Sequence, residues 1–290
     1  MAAHSLKTVH LVTRAETLKA LYFDWQTQLA RPNLVFIDGA GTVVFETNEI
    51  GLKGEPVDDR RKLAVVWGDS VVFGAWRGWA CLLDTYAPGY QFLNGGIEGD
   101  PYYNILRRAR ILNRERPIAL NVLMPGWHPF EPYPVATQTG PTSKSWWRRG
   151  ESAASEPDRF RAELTSFIRA VPNAVLLTMP TSLNPAIADR DLSGYFTAGD
   201  DDTMFHFCGT VAYTVALQRQ HFDFINQRNE IVRDVAMAAQ VPLIDLFAVF
   251  DTTGLADFRQ DFVDIMHFRV HAYPRIAAAI HRGIAGLLAM

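Results

Sequence analysis

The stretch that decides the fold is Leu63-Ala64-Val65-Val66-Trp67, which Gly68-Asp69-Ser70 and Val71-Val72-Phe73-Gly74 follow directly. Five consecutive apolar residues, two of them β-branched, are typical of a strand that is buried on both faces of a sheet. A glycine directly after such a strand allows the backbone to turn sharply. The pattern therefore predicts that Ser70 lies at the mouth of a parallel sheet, where a serine is well placed to act as a nucleophile.

Alternating strands and helices follow this stretch over the rest of the chain. Strands are predicted at 63–67, 91–93, 118–124, 174–179 and 242–247, and helices at about 71–85, 102–113, 157–170, 209–239 and 273–288. Five strands separated by helices predict an α/β fold in which helices cover both faces of a parallel sheet.

The residues before this sheet predict a smaller extension. Apolar residues over 14–30 indicate a first helix, and two apolar runs on either side of Asp38-Gly39-Ala40-Gly41 indicate a β-hairpin over 33–47. We therefore divide the chain into an N-terminal extension over 1–60 and a main domain over 61–290.

Two stretches of the main domain, 125–156 and 184–208, do not fit the alternation and predict long loops. Loops of this length inside a compact domain are uncommon unless they serve a site or are disordered.

Composition excludes several classes of protein. Of the 290 residues 48% are hydrophobic and 20% charged, and the net charge of −3 lacks the basic excess of nucleic-acid-binding surfaces. Charged residues interrupt residues 1–30, so no secretory signal is predicted, and no apolar run reaches the roughly 18 residues of a membrane span. Two cysteines, Cys81 and Cys208, favour a reducing compartment. We expect a cytoplasmic protein without a nucleic-acid partner or membrane span, and the oligomeric state stays open.

Residues with catalytic potential follow four of the predicted strands. Ser70 follows the first, Asn94-Gly95-Gly96 the second, Gly126-Trp127-His128 the third, and Asp264 and His267 come after the fifth. Ligand sites of open α/β sheets lie beyond the carboxyl ends of the strands. We therefore expect these groups to meet at one edge of the sheet.

The chemistry of a serine nucleophile requires each of these parts. A serine hydroxyl needs a base within hydrogen-bond reach, and histidine suits this role because its pKa lies near neutrality. A carboxylate on the second imidazole nitrogen fixes the tautomer. Asp264 and His267 are about one helical turn apart, which predicts a catalytic set of Ser70, His267 and Asp264, with Asp261 as an alternative carboxylate.

The blocks Gly68-Asp69-Ser70, Asn94-Gly95-Gly96-Ile97-Glu98-Gly99 and Asp264-Ile265-Met266-His267 resemble those of the SGNH or GDSL-type hydrolases, over roughly residues 48–285. The resemblance implies a flavodoxin-like three-layer α/β/α sandwich and a serine esterase or acyl hydrolase that works through an acyl-enzyme without a cofactor. It also implies an oxyanion hole formed by the N–H of Ser70, the N–H of a glycine assigned as Gly96, and a side chain of the third block.

The third block departs from the family pattern Gly-x-Asn-Asp. The matching residues are Gly126-Trp127-His128-Pro129, so that His128 stands in place of the asparagine, while Asn121 lies inside the predicted strand. A histidine N–H donates to an oxyanion in the right tautomer or as imidazolium, and we therefore assign His128 to the hole. The alternative is an incomplete hole in a catalytically weak SGNH-fold binding protein.

Three tryptophans, Trp127, Trp146 and Trp147, are candidate substrate-binding residues, because flat aromatic faces suit a sugar or an apolar acyl chain. The other interpretation is that Trp146 and Trp147 anchor their loop to the domain or to another subunit. By analogy with the family, we expect the substrate to be a small-molecule or glycan ester, including O-acetyl esters. An O-acyltransferase would use the same catalytic residues.

A metal-dependent hydrolase is a third hypothesis. His267 and His271 are four residues apart, which brings two ligands onto one helical face, and Asp264 and His128 would complete such a site. No glutamate follows His267 as in the His-Glu-x-x-His motif of zinc proteases, and Ser70 would have no role in such a site. We therefore expect no metal.

Overall fold

The computed structural model of the chain describes residues 8–11, 22–24, 30–37, 39–74, 77–126, 156–190, 215–254, 257 and 259–289. The strands in chain order are β1 Thr8–Leu11, β2 Leu34–Ile37, β3 Val43–Glu46, β4 Lys62–Gly68, β5 Tyr90–Gly96, β6 Leu120–Leu123, β7 Ala174–Leu177 and β8 Leu243–Ile244. The α-helices are α1 Ser70–Phe73, α2 Tyr102–Glu115, α3 Glu156–Ala170, α4 Val215–Ala239, α5 Leu246–Val249 and α6 Tyr273–Leu288, and 3-10 helices span Trp79–Thr85 and Val270–Ala272.

The central sheet has the strand order β5-β4-β6-β7-β8, and all of its neighbouring strands pair in parallel. Counted from β4, this is the order 2-1-3-4-5 of flavodoxin-like folds, in which the chain reverses direction across the sheet beside the first strand. The predicted five-stranded parallel sheet is therefore confirmed, and the carboxyl ends of β4, β5 and β6 lie side by side.

Strand β4 shows why the sheet is covered on both faces. Ala64 and Val66 belong to one hydrophobic core, whereas Val65 and Trp67 belong to a second core on the opposite face. The first core takes in residues of α6, and the second takes in residues of α2 and α3. An unbroken apolar run therefore serves two cores at once, which gives the three-layer α/β/α sandwich.

Two of the predicted elements are shortened in the structure by features that the apolar pattern does not show. The helix predicted over 71–85 is divided into α1 and the 3-10 helix, because Gly74 and Gly78 take positive φ values of 54° and 71° between them. The strand predicted over 242–247 is cut to β8, since Asp245 caps the helix α5 that follows it and accepts the Ala248 N–H.

The N-terminal extension contributes a second sheet of order β1-β2-β3. The predicted hairpin is confirmed by the antiparallel pairing of β2 and β3, while β1, which the sequence pattern did not indicate, pairs with β2 in parallel. The helix predicted over 14–30 lies mostly outside the described residues. Aromatic rings of this extension pack against α1: the ring centroids of Tyr22 and Phe45 lie 5.6 and 5.3 Å from that of Phe73.

The two predicted long loops fall mainly outside the described residues, but the two ends of the first meet at one side chain. The buried guanidinium of Arg228, on α4, donates to the Gly126 carbonyl at 3.0 Å and pairs with the carboxylate of Glu156. The backbone that leaves β6 and the start of α3 are thus held at one point. Of the helices within the described ranges, none combines the length and the apolar composition needed to cross a membrane.

We predict that Asn121→Ala lowers the free energy of unfolding by about 3 kcal/mol, because each buried polar group left without a partner costs roughly 1–3 kcal/mol. Asn121 Oδ1 accepts the Trp67 Nε1–H at 2.9 Å, and its Nδ2 donates to Asn113 Oδ1 and to the Pro172 carbonyl, both at 3.0 Å. Urea unfolding measures the change, with Thr165→Ala on the surface of α3 as the control. A loss no larger in Asn121→Ala than in the control contradicts this prediction.

Candidate active site

The junction between β4 and α1 presents Ser70. A Cβ at Gly68 would overlap the side chain of Val72, so only glycine fits where the strand turns into the helix. The buried carboxylate of Asp69 accepts the Val71 N–H at 3.0 Å and so caps α1. Ser70 is therefore the first residue of a helix that begins directly beyond the sheet.

Ser70, His267 and Asp264 form one chain of hydrogen bonds. The Oγ of Ser70 lies 2.8 Å from His267 Nε2, and His267 Nδ1 lies 2.6 Å from Asp264 Oδ2. With the imidazole proton on Nδ1 and donated to the carboxylate, Nε2 accepts the hydroxyl proton of Ser70. The structure thus brings together the three residues predicted as a catalytic set, across 197 positions of sequence.

The carboxylate of Asp264 is fixed by the backbone around it. Its Oδ1 accepts the N–H groups of Met266 and His267, each at 2.7 Å. Burial alone would raise the pKa of Asp264, but the neighbouring His267 and these hydrogen bonds outweigh burial and lower the pKa below its usual value. Asp264 is therefore ionised at neutral pH and orients the imidazole.

The loop after β7 holds the segment that carries this carboxylate. Ser182 Oγ donates to the Asp264 carbonyl at 3.0 Å, and Thr181 Oγ1 donates to the Ile265 carbonyl at 2.7 Å. All of these groups are buried. The position of Asp264 relative to Ser70 thus depends on a third strand end, which the sequence analysis did not identify.

The alternatives built on neighbouring residues are not supported by the geometry. The carboxylate of Asp261 pairs with Arg275 rather than with His267. His271 Nε2 lies 2.9 Å from the Gln260 carbonyl, and its side chain is 58% exposed. Within the described ranges no group of three or more His, Cys, Asp or Glu side chains is arranged to hold a metal, and His128, the fourth member of that hypothesis, lies outside those ranges.

The structure corrects the assignment of Gly96 as an oxyanion donor. The Gly96 N–H donates to Asn94 Oδ1 at 2.8 Å and so is already engaged. This glycine serves close packing instead, because a Cβ here would overlap the backbone nitrogen of Phe73. Three residues later Gly99 has a φ of 60° on an exposed turn, and its N–H has no hydrogen-bond partner among the described residues.

A buried ion pair, which the sequence analysis missed, supports this turn. Arg108 on α2 pairs with Asp100, and its guanidinium also donates to the carbonyls of Gly95 at 3.1 Å and Gly68 at 3.4 Å. Burial lowers the pKa of Arg108 to about 9, so the side chain is charged at neutral pH. One cation therefore joins the ends of β4 and β5 to the residue after Gly99.

Four residues of the predicted site, Trp127, His128, Trp146 and Trp147, lie outside the described residues. Their assignments as oxyanion donor and substrate contacts stay predictions.

The chain is similar in structure to several solved proteins. A lipase/acylhydrolase from Enterococcus faecalis is 18% identical, with 78% of this chain and 96% of that one covered and a TM-score of 0.48. For a GDSL-like lipase from Bacteroides thetaiotaomicron the identity is 15%, the coverages are 81% and 92%, and the TM-score is 0.43. An acetyl xylan esterase from Geobacillus stearothermophilus is 16% identical, with 77% of this chain and 94% of that one covered and a TM-score of 0.48.

Comparisons with protein-family models and with curated proteins give no match. At these identities and TM-scores the likeness concerns the fold alone. The roles of the residues therefore rest on the geometry of this chain.

We predict that Arg108→Met lowers the free energy of unfolding by about 3–5 kcal/mol, because it leaves the buried carboxylate of Asp100 without its charged partner. The double variant Arg108→Met/Asp100→Asn should recover part of this loss, since the unpaired charge is gone. Arg110→Met on the same helix is the matched control, because its ion pair with Glu163 is partly exposed and is worth at most about 1 kcal/mol. Equal losses in Arg108→Met and Arg110→Met, measured by urea unfolding, contradict the prediction.

Proposed function

We propose that this chain is a serine hydrolase of the SGNH type that cleaves an O-acyl ester through an acyl-enzyme. The observation that carries the proposal is the pair of hydrogen bonds from Ser70 Oγ to His267 Nε2 and from His267 Nδ1 to Asp264 Oδ2, at 2.8 and 2.6 Å. A nucleophile, a base within reach of its proton and a carboxylate that orients the base are the parts that acyl transfer requires. The side chain of His267 is 15% exposed, so part of the imidazole is accessible to solvent.

The proposed reaction has two steps. In the first, Ser70 Oγ attacks the ester carbonyl carbon while His267 Nε2 takes the hydroxyl proton, and the tetrahedral intermediate expels the alcohol, which receives that proton from the imidazolium. In the second, a water molecule gives its proton to His267 and attacks the acyl-enzyme, and the serine leaves with that proton as the carboxylic acid forms. Asp264 stays ionised throughout and stabilises the imidazolium.

An oxyanion forms in both steps and needs donors beside Ser70. The N–H of Ser70 is one proposed donor, since it lies in the first turn of α1, where the helix leaves its amides unpaired. The N–H of Gly99 replaces that of Gly96 as the second. The turn that carries Gly99 begins beside the nucleophile, because the Ile97 N–H donates to the Gly68 carbonyl at 3.2 Å. His128 stays the proposed third donor.

A small-molecule or glycan ester, with O-acetyl among the acyl groups, is proposed from the resemblance in sequence, with Trp127, Trp146 and Trp147 as proposed contacts. A cytoplasmic location and the absence of a nucleic-acid partner stay predictions of the sequence.

We predict that a fluorophosphonate probe labels the protein at one site and that Ser70→Ala removes this label. The same substitution should lower turnover of a short-chain aryl ester by at least about 10⁴-fold, as loss of a catalytic serine does elsewhere. Ser166→Ala, at an exposed serine of α3, is the matched control and should behave as the native protein.

Failure of the native protein to react with the probe would contradict this proposal. It would favour the alternative that the chain is a catalytically weak binding protein with the SGNH fold. Loss of turnover on addition of a chelator would favour metal-dependent hydrolysis instead. Ester products that retain the acyl group, formed when an acceptor alcohol is added, would identify an O-acyltransferase with the same residues.

A second prediction separates the two carboxylates near His267. Asp264→Asn should lower kcat/KM by about 10⁴-fold, because the amide favours the wrong imidazole tautomer. Asp261→Asn should leave kcat/KM within a few-fold of the native value, since Asp261 pairs with Arg275. Steady-state kinetics with the same aryl ester measures both, and comparable losses would mean that the carboxylate is assigned wrongly.

A further inference from the structure

Lys53, in the N-terminal extension, lies buried beneath the helix that carries Ser70. Its side chain is 2% exposed, and its Nζ donates to the carbonyls of Phe73 at 2.6 Å and Gly74 at 3.2 Å. These carbonyls belong to the last residue of α1 and the residue after it. The lysine therefore contacts the opposite end of the four-residue helix from Ser70.

The carboxyl end of so short a helix depends on side chains from elsewhere. The last carbonyls of any helix lack partners within it, and a cation there is favoured by the helix dipole. Asn94 Nδ2 donates to the carbonyls of Val72 at 2.9 Å and Phe73 at 3.2 Å, and Lys53 completes the set. Of these two side chains, only Lys53 brings a charge.

The position of Lys53 is itself fixed from three sides. Its backbone forms a two-way bridge to Asn94, with N···O distances of 3.0 and 2.9 Å. Its Nζ lies 3.6 Å from the centroid of the Phe73 ring and 5.4 Å from that of the Phe45 ring, which are cation–π distances. A displacement of the ammonium would therefore move α1 with it.

Among the described residues, the titratable groups that act on this ammonium are those of Cys81 and Glu98. Burial lowers the pKa of Lys53 to about 7, against the opposing influence of Cys81 and Glu98. Burial also raises the pKa of the Cys81 thiol to about 12, so the cysteine is uncharged at neutral pH. Glu98, on the turn after β5, is then the carboxylate that acts on the lysine. Lys53 consequently changes charge near neutral pH.

A role in stability alone does not account for this lysine. An exposed lysine of the unfolded chain holds its proton up to about pH 10.4, well above the pKa in the folded protein. The folded state therefore opposes the charge, and below about pH 7, where Lys53 must be charged in the fold, its burial costs stability in full. Methionine, which is uncharged and of similar length, would avoid this cost but has no N–H to donate to the carbonyls of Phe73 and Gly74.

We propose that Lys53 is a positioning residue for Ser70, whose ammonium fixes the carboxyl end of α1 and thereby the approach of Ser70 Oγ to His267 Nε2. This inference rests on the proposed function, because it concerns the same nucleophile. Deprotonation of Lys53 leaves the amine two N–H donors but removes the charge that the carboxyl end of α1 and the Phe73 ring attract, so kcat should decline in part on the alkaline side of neutrality.

The test compares Lys53→Met, Lys53→Arg and the native protein over a range of about pH 5–9, with kcat and KM measured separately for a short-chain aryl ester. Lys53→Met should lower kcat by about 10- to 100-fold, since small misplacements of reacting groups cost up to about 10²-fold. Its KM should change little, because Lys53 is buried away from the substrate. Lys53→Arg, which keeps its charge, should retain the larger part of kcat and shift the alkaline decline to higher pH.

Lys62→Met is the matched control, because Lys62 also lies near an aromatic ring, 5.3 Å from the centroid of Tyr90, but is exposed at the start of β4. It should reproduce the native profile. A native kcat in Lys53→Met overturns the proposal, and so does an alkaline decline that stays near pH 7 in Lys53→Arg. If Lys53→Met does not fold, the profile of Lys53→Arg decides by the same criterion.

Failure of this inference is distinguishable from failure of the proposed function. Native protein that reacts with the fluorophosphonate probe, together with Lys53→Met that reacts at the same rate, overturns only the role of Lys53. Native protein that does not react at any pH overturns the serine hydrolase itself.

Discussion

The close approach of α1 to the ends of β4 and β5 is the constraint on which the site depends. Gly68 and Gly96 leave no space for a Cβ, since Val72 and Phe73 of the helix occupy it. The helix therefore begins at the edge of the sheet rather than beyond a loop, and Ser70 stands at its first position. From there its hydroxyl reaches an imidazole that comes from the last part of the chain.

Buried cations hold the backbone around this junction. Lys53 binds the carbonyl end of α1, Arg108 binds the carbonyls of Gly68 and Gly95, and Arg228 binds the carbonyl of Gly126. Each is drawn from a different part of the chain, and each contacts backbone that leads to or from the strand ends. A buried charge opposes folding unless it is paired and hydrogen-bonded. The backbone at the strand ends is therefore held in the positions in which these hydrogen bonds form.

The sequence predicts the sheet and the residues at its edge well, because both follow from local signals. An apolar run such as that of β4 indicates a doubly buried strand, and the order of strands and helices places Ser70, Asp264 and His267 at one edge before any distance is known. Which of two nearby carboxylates faces the imidazole is decided by the loop after β7. That choice depends on contacts between residues more than 80 positions apart, which no local pattern encodes.

The features that the sequence did not predict also depend on contacts and backbone angles that become visible only in the folded chain. Gly96 and Gly99 stand in one glycine-rich run, and only the contact of Asn94 Oδ1 with the Gly96 N–H shows which amide is occupied. Lys53 and Arg108 are charged residues in segments where a solvated position is the ordinary expectation, and their burial becomes visible only when the extension and α2 are packed on the sheet. Helix α1 ends early because of the backbone angle of Gly74, a property that an apolar pattern does not carry.

The role of Ser70 as the nucleophile is tested most directly by a crystal structure of the protein after reaction with a small alkyl fluorophosphonate. We expect phosphorus bonded to Ser70 Oγ, His267 Nε2 within hydrogen-bond distance of the adduct, and the phosphoryl oxygen facing the N–H groups of Ser70 and Gly99. Phosphorus on any other residue, or a phosphoryl oxygen that points away from both amides, would contradict it.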